Sequence, residues 1–205
     1  MGRGLGPLSR IVERLRALRA HMRAERVDEI ARRYLVMNAF DGALSILSVI
    51  ASAYFVGAMD PRVVVAIGLA NCMAMGISGF TGTFMTERAE RLRRLRELES
   101  VLLTDLSESD FNRVSLVASI YVAFIDGIAP VLAAVVSLLP LITAIFIPVD
   151  VIMAVQLAVA LNLATLFVLG AFLGRISRTN IALSGLKMVA IGVITALLCI
   201  LFKAM

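Results

Sequence analysis

The sequence predicts an all-α, polytopic membrane protein with five transmembrane helices, its N-terminus in the cytosol and its C-terminus outside. The first observation is composition: 60% of the 205 residues are apolar and the mean hydropathy is +0.93, whereas soluble domains are about 45–50% apolar. The second is length, because five apolar stretches approach or exceed the roughly 20 helical residues that cross a hydrocarbon core of about 30 Å. The third is a strong asymmetry in the placement of positive charge.

Four of the five spans have clear ends. They cover residues 34–57, 63–86, 151–173 and 181–202. The third span is harder to delimit, because the apolar stretch 114–147 is too long for one ordinary span and too short for two. We predict a helix from Val114 to about Ser137, ended near Pro140, since proline has no backbone N–H and disfavours a helical residue before it. A connector at membrane depth would then lead to Pro148.

The direction of the chain follows from its basic residues. Nine Lys and Arg residues lie in residues 1–33, six in 87–113 and three in 174–187, whereas only Arg62 and Lys203 lie elsewhere. Cytosolic loops collect positive charge, so these three segments are expected in the cytosol. The basic pI of about 9.9 is then explained by topology and by anionic lipid headgroups, and no nucleic-acid partner is expected.

The chain divides into four parts. They are a cytosolic amphipathic N-terminal helix (1–33), spans one and two (34–86), a short charged cytosolic helical loop (87–113) and spans three to five (114–205). The apolar residues of segment 8–30 share one helical face, which indicates a helix on the membrane surface or against a partner subunit. The charged loop is predicted to continue the second span as a helix, with Ser107 and Asp110 forming a start resembling a capping box for the third.

Polar and sulfur-bearing residues recur on one face of the first two spans. They are Asn38, Asp41, Ser45, Ser48 and Ser52 in the first span, and Asn71, Met75, Ser78, Gly82 and Met85 in the second. Small residues alone would indicate close helix packing, and Gly42, Ser45, Ser48 and Ser52 predict a small-residue face on which the first spans of two copies meet. Asp41 and the third-span Asp126 point further, because a carboxylate at membrane depth is costly unless it takes up a proton or binds a cation. Met75 is either packing material or a soft ligand for a transition metal.

Three stretches of the sequence resemble the vacuolar iron transporter family, which includes yeast-type vacuolar cation transporters and nodulin-like proteins. The resemblance covers about residues 34–203. The stretches are FDGALSILSVIASA, MAMGISGF leading through FMTERAE, and LGAFLGRISRTNIALSGLKMVAIGVITALL. The resemblance implies a homodimer whose first spans meet near the two-fold axis and which exchanges Fe²⁺, or a similar ion such as Mn²⁺, for protons.

The resemblance also assigns site residues. The family's transport aspartate matches Asp41, and its second-span methionine matches Met75, with Met73 as the alternative register. The expected metal and proton path comprises Asp41, Met75, Asn38, Ser45, Asn71, Ser78 and Asp126, and a reduced cytosolic metal-collecting site comprises Glu87, Glu90, Glu97 and Glu99. The chain departs from the family where many members place an acid after the methionine-glycine pair, since Ser78 or Gly79 stands there.

Two functions remain open from the sequence. Retention of Asp41 and Met75 favours a proton-coupled metal transporter, whereas the missing second-span acid and the 27-residue loop favour a non-transporting scaffold that keeps the fold. An enzyme is not expected, because no His, Cys and acid converge at a catalytic spacing. The metal ion would be a transported substrate and not a permanent cofactor. A prokaryotic plasma membrane is the preferred location, with a vacuolar membrane if the source is eukaryotic.

Overall fold

The computed structural model describes residues 26–105 and 110–203 as a bundle of five α-helices. They are α1 (Val27–Val56), α2 (Pro61–Leu102), α3 (Asp110–Phe146), α4 (Val151–Ile176) and α5 (Ile181–Lys203). Each contains a stretch long and apolar enough to cross a membrane. The all-α class and the five spans are therefore confirmed, while the side that each terminus faces stays a prediction.

The helix ends are set by local chemistry. Gly57 ends α1 in a left-handed conformation (φ 78°) that suits a residue without a side chain, and its N–H bonds back to the last turn. The Asp60 carboxylate caps α2 by accepting from the backbone N–H two residues on (2.8 Å), with Pro61 at the first helical position. Asp150 caps α4 in the same way (3.2 Å). Short connections therefore join α1 to α2 and α3 to α4.

The predicted end of the third span near Pro140 is wrong. Helix α3 runs without a break from Asp110 to Phe146, with both Pro130 and Pro140 inside it. A proline removes one backbone hydrogen bond, but packing in a membrane bundle can hold the helix together around it. Leu138 and Leu141, on either side of Pro140, are fully buried in the core. Their packing stabilises the helical turn that the local sequence disfavours, so no membrane-level connector forms.

Two helices extend beyond the predicted spans. Helix α1 begins at Val27, so the residues just before position 34 belong to the first span's helix and not to a separate element. The rest of the predicted N-terminal helix, residues 1–25, lies outside the described residues, as does Ser107. Helix α2 continues through the charged segment to Leu102, which confirms that this segment extends the second span as a helix.

Helix α1 is the centre of the bundle and packs against all four other helices. Close approach depends on glycine: a Cβ on Gly42 would lie 2.6 Å from Cα of Pro130, and one on Gly76 would lie 2.5 Å from the Gly127 carbonyl oxygen. Large apolar side chains cover much of the outer surface instead. Small residues inside and large apolar ones outside are the pattern expected where helices pack within lipid.

Candidate functional site

A buried acid joins the first three helices. Asp126 on α3 is only 2% exposed, and its carboxylate accepts hydrogen bonds from Asn38 Nδ2 on α1 and from Thr83 Oγ1 on α2 (2.6 Å). Gly79 leaves room for it, because a Cβ there would lie 3.1 Å from Asp126 Oδ2. We call Asn38, Thr83 and Asp126 the Asp126 cluster. Position 79 on α2 therefore carries no acid of its own, but the Asp126 carboxylate of α3 lies beside it.

A second polar contact joins α1 and α2 further along the same face. Asn71 Nδ2 on α2 donates to Ser45 Oγ on α1. Because the two helices are linked by a short turn, position 45 meets position 71 while position 38 lies close to position 83. Hydrogen bonds therefore link α1 and α2 at two levels, directly between Ser45 and Asn71 and through Asp126 of α3 at Asn38 and Thr83.

Asp41 lies between these two levels. It follows Asn38 by three residues and precedes Ser45 by four, which places all three on one helical face. Its side chain is exposed, and within residues 26–105 and 110–203 its carboxylate has no hydrogen-bond or ion-pair partner. It is near enough to Asp126 for their charges to interact. Asp41 is therefore the acid of the first span that is available to bind something else.

The opposite side of the same α1 turn is fixed against the bundle. Gly42 is buried against Pro130, and its carbonyl oxygen accepts a weak hydrogen bond from Cys72 Sγ (3.9 Å). The carbonyl oxygen of Ala43 accepts from Nδ2 of the fully buried Asn162 on α4 (3.0 Å). Contacts from α2, α3 and α4 therefore converge on the residues that directly follow Asp41.

The structure separates the second-span methionines. Met75 is partly buried and packs on the core cluster that contains Ile46 and Cys72, whereas Met73 is 56% exposed on the outer surface. Ser78 is exposed. In the described part of the chain, no hydrogen bond or ion pair links Met75 or Ser78 to Asp41, so these predicted site residues share its neighbourhood without a direct contact.

The four glutamates of the charged segment are not gathered into one group. Three of them pair with arginines four residues away on α2, the spacing at which side chains meet along one face of a helix. The pairs are Glu87 with Arg91 (3.4 Å), Glu90 with Arg94 (3.3 Å) and Glu97 with Arg93 (3.0 Å). Among the described residues, no three or more His, Cys, Asp or Glu side chains are placed to hold a metal ion together. Glu99 is half-buried near the end of α2.

Sequence reasoning missed Thr83 and Asn162. Thr83 follows Gly76 and Gly79 at helical spacing, so it lies on a face of small residues on α2. That face was the sequence pattern from which a contact with another helix was predictable. Asn162 had a clearer signal, because an amide within a long apolar span is costly and usually reaches a partner on another helix.

The fold and these sites define a polytopic membrane protein with two acidic residues, Asp41 and Asp126, within its transmembrane helices. Residues 125–203, which include Asp126, α4 and α5, match the VIT family. An uncharacterized protein from Methanocaldococcus jannaschii is 33% identical over 178 residues, covering 85% of this chain and 90% of that protein. The chain belongs to the VIT family, the vacuolar iron transporters. This membership indicates membrane transport of metal ions.

Proposed function

We propose that this protein moves a divalent transition-metal ion, Fe²⁺ or Mn²⁺, across its membrane in exchange for protons. The observation that carries the proposal is Asp41, an exposed acid near the middle of α1 that has no partner among the described residues. An ionisable group placed within a transmembrane helix, away from any compensating charge, is costly to keep and is therefore a strong functional candidate. Family membership supports metal ions as the cargo.

Asp41 can serve both ions because its two protonation states differ in charge. The ionised carboxylate attracts a divalent cation, and the protonated form carries a proton through lipid without net charge. A single carboxyl that holds either one or the other couples the two movements. The thioether of Met75 on the neighbouring helix adds a soft donor, which would favour Fe²⁺ or Mn²⁺ over Mg²⁺. Asn38, Ser45, Asn71 and Ser78 supply the polar wall of this path.

We place the ion path at the interface of a homodimer. A groove of about 470 Å³ lies between α1 and α2 and is lined in part by Ser45, Ser48, Ser52 and Asn71. Polar side chains facing lipid are unfavourable, so a second copy that covers this groove would stabilise them. Gly42 does not belong to this surface, because it is buried within the chain against Pro130. The expectation that Gly42 contributes to the small-residue dimer face is therefore wrong.

A non-transporting scaffold is the second candidate. It is favoured by the arginines that pair with Glu87, Glu90 and Glu97, since a positive charge beside each acid repels a metal cation. The absence of an acid at Ser78 or Gly79 favours it as well. It does not explain why the Asp41 carboxylate has no partner within residues 26–105 and 110–203.

Uptake by the purified protein in liposomes separates the two candidates. A transporter would accumulate Fe²⁺ or Mn²⁺ when a proton gradient is imposed, with little uptake of Mg²⁺ or Ca²⁺, and collapsing the gradient with an ionophore would stop accumulation. Empty liposomes are the control for leak. A protein that reconstitutes as a folded dimer but moves none of the four ions above the leak would be the scaffold.

A further inference from the structure

We propose that the Asp126 cluster is a positioning device for Asp41, which acts by accepting hydrogen bonds and not by carrying the coupling proton. The cluster would hold the middle of α1 in one rotational orientation about its own axis, in which Asp41 faces out of the bundle. The proposal rests on the proposed function for its consequence in transport. Its geometric part, the orientation of Asp41, does not depend on which ion the protein transports or on whether it transports one.

The positions of the contacts along α1 support this role. Asn38 lies about 4.5 Å before Asp41 and Ser45 about 6 Å after it along the helix axis. Both side chains are bonded to other helices, Asn38 to Asp126 and Ser45 to Asn71. Because two interhelical hydrogen bonds hold one face of α1, the helix cannot rotate about its axis without breaking one of them. Asp41 lies between these two hydrogen bonds and is therefore kept exposed.

Contacts on the other side of the same helical turn stabilise this orientation of α1. Gly42 has no room for even one additional carbon beside Pro130, and Ala43 is fully buried with its carbonyl bonded to Asn162. A roll of α1 would drive Asp41 towards these buried contacts. The α1 turn is therefore fixed from both sides by residues that belong to three other helices.

The contacts of Asp126 fit a hydrogen-bond acceptor better than an ion carrier. One carboxylate oxygen accepts from Asn38 and the other from Thr83, so each oxygen has a donor from a different helix. At 2% exposure Asp126 has little access to an ion or to water, whereas Asp41 is exposed. Its role in this arrangement needs a hydrogen bond to each of the two neighbouring helices and no net charge.

The test compares Asp126→Asn with Asp126→Leu. Asparagine keeps an acceptor oxygen, and the Asn38 amide can turn to pair with the new amide, so both hydrogen bonds of residue 126 survive. Leucine removes both hydrogen bonds while filling similar volume. Asn38→Leu and Thr83→Val each remove one donor and serve as second variants if Asp126→Leu does not fold. Folding is checked for each variant by its dimer peak in size-exclusion chromatography.

The first measurement does not depend on transport. Each substitution is combined with Asp41→Cys, and alkylation of position 41 by a water-soluble maleimide in membranes is followed by mass spectrometry. We expect Asp126→Asn to leave the rate within about two-fold and Asp126→Leu or Asn38→Leu to lower it by about five-fold or more, the scale of one interhelical hydrogen bond. An unchanged rate in the folded Leu variants would overturn the positioning role.

The second measurement is the Kd for Mn²⁺ in variants that keep Asp41, determined by titration calorimetry across a range of pH. Both substitutions remove the Asp126 charge, so any effect of that charge on Asp41 is the same in the two variants, and the difference between them reports on the hydrogen bonds. We expect Asp126→Leu to bind Mn²⁺ about ten-fold more weakly than Asp126→Asn, with the same pH midpoint in both. Equal affinity of the two variants, well below that of the parent, would mean that the charge of Asp126 serves the ion directly and would overturn the proposal. If the parent protein binds neither Mn²⁺ nor Fe²⁺ in the same assay, the proposed function fails, and the alkylation rates still decide the inference.

Discussion

Gly42 and Gly82 offer a matched pair of substitutions at the scale of single residues. A Cβ on Gly42 would lie 2.6 Å from a backbone atom of Pro130, whereas one on Gly82 would meet nothing within 4 Å. We predict that Gly42→Ala lowers the free energy of unfolding by about 1–3 kcal/mol through overpacking. Gly82→Ala should leave it unchanged or raise it by about 0.5–1 kcal/mol, since alanine favours a helix more than glycine does. Equilibrium unfolding in mixed micelles measures both.

The same pair reports on function. If Gly42 fixes the turn that carries Asp41, Gly42→Ala should also impair metal uptake while Gly82→Ala should not. A Gly42→Ala protein as stable as its parent would mean that α1 and α3 are not as close as the structure has them.

The two acids of the site were predictable from sequence, but the hydrogen-bond partners of Asp126 were not. Asp41 and Asp126 stand out because an acid within an apolar span is costly wherever it faces. That Asn38 meets Asp126 depends on how far each helix is rotated and shifted against its neighbours, which Gly79 and Pro130 decide through close packing. Spacing along one helix specifies a face, and only the packed bundle specifies what that face meets.

At the scale of helices, the continuity of α3 past Pro140 is open to direct measurement. We predict that backbone amides from Ile142 to Phe146 exchange slowly with solvent deuterium in nanodiscs, as in the middle of α3, because they are helical. Residues 103–105, which follow the end of α2, provide the fast-exchanging comparison. Fast exchange of 142–146 would restore the connector that the sequence predicted.

Helix existence was easier to predict than helix extent. The apolar runs fixed five helices, because in lipid a chain must satisfy its own backbone groups and a helix does so locally. The end of α3 was misjudged because the rule for Pro140 is local, whereas Leu138 and Leu141 bury the same turn against residues far away in sequence. The start of α1 at Val27 was missed for a different reason. The residues before position 34 are partly charged, so hydropathy alone does not show that they continue the helix of the first span.

At the scale of the whole molecule, the charge asymmetry predicts which side each loop faces. Arg93, whose side chain is 73% exposed, should be cytosolic, and the exposed Arg62 should lie on the other side. Arg91 is a poor reporter because it is only 5% exposed. In a Cys199→Ala background, cysteine at 93 should react with an impermeant maleimide only from the cytosolic side and cysteine at 62 only from the other. The reverse labelling would invert the topology.

The dimer prediction concerns the exposed face of α1. Ser52 lies on this face and is exposed, so Ser52→Cys should form a disulfide with the second copy in membranes under mild oxidation. Leu157 on α4 is 55% exposed but lies away from the groove, and Leu157→Cys is the matched control that should remain uncrosslinked. Cross-linking at 157 in place of 52 would move the interface to α4.

The central claim, that Asp41 holds the metal ion and the proton in turn, is tested by following both ions at once in liposomes that contain Asp41→Asn. Asparagine keeps the shape but neither titrates nor supplies charge. Asp150→Asn is the control, because asparagine caps a helix as well as aspartate does. We predict that Asp41→Asn folds and assembles like its parent, lowers metal uptake at least about ten-fold and abolishes the linked change in internal pH, while Asp150→Asn preserves both. Metal uptake by Asp41→Asn at the parental rate, with protons still exchanged, would contradict the claim.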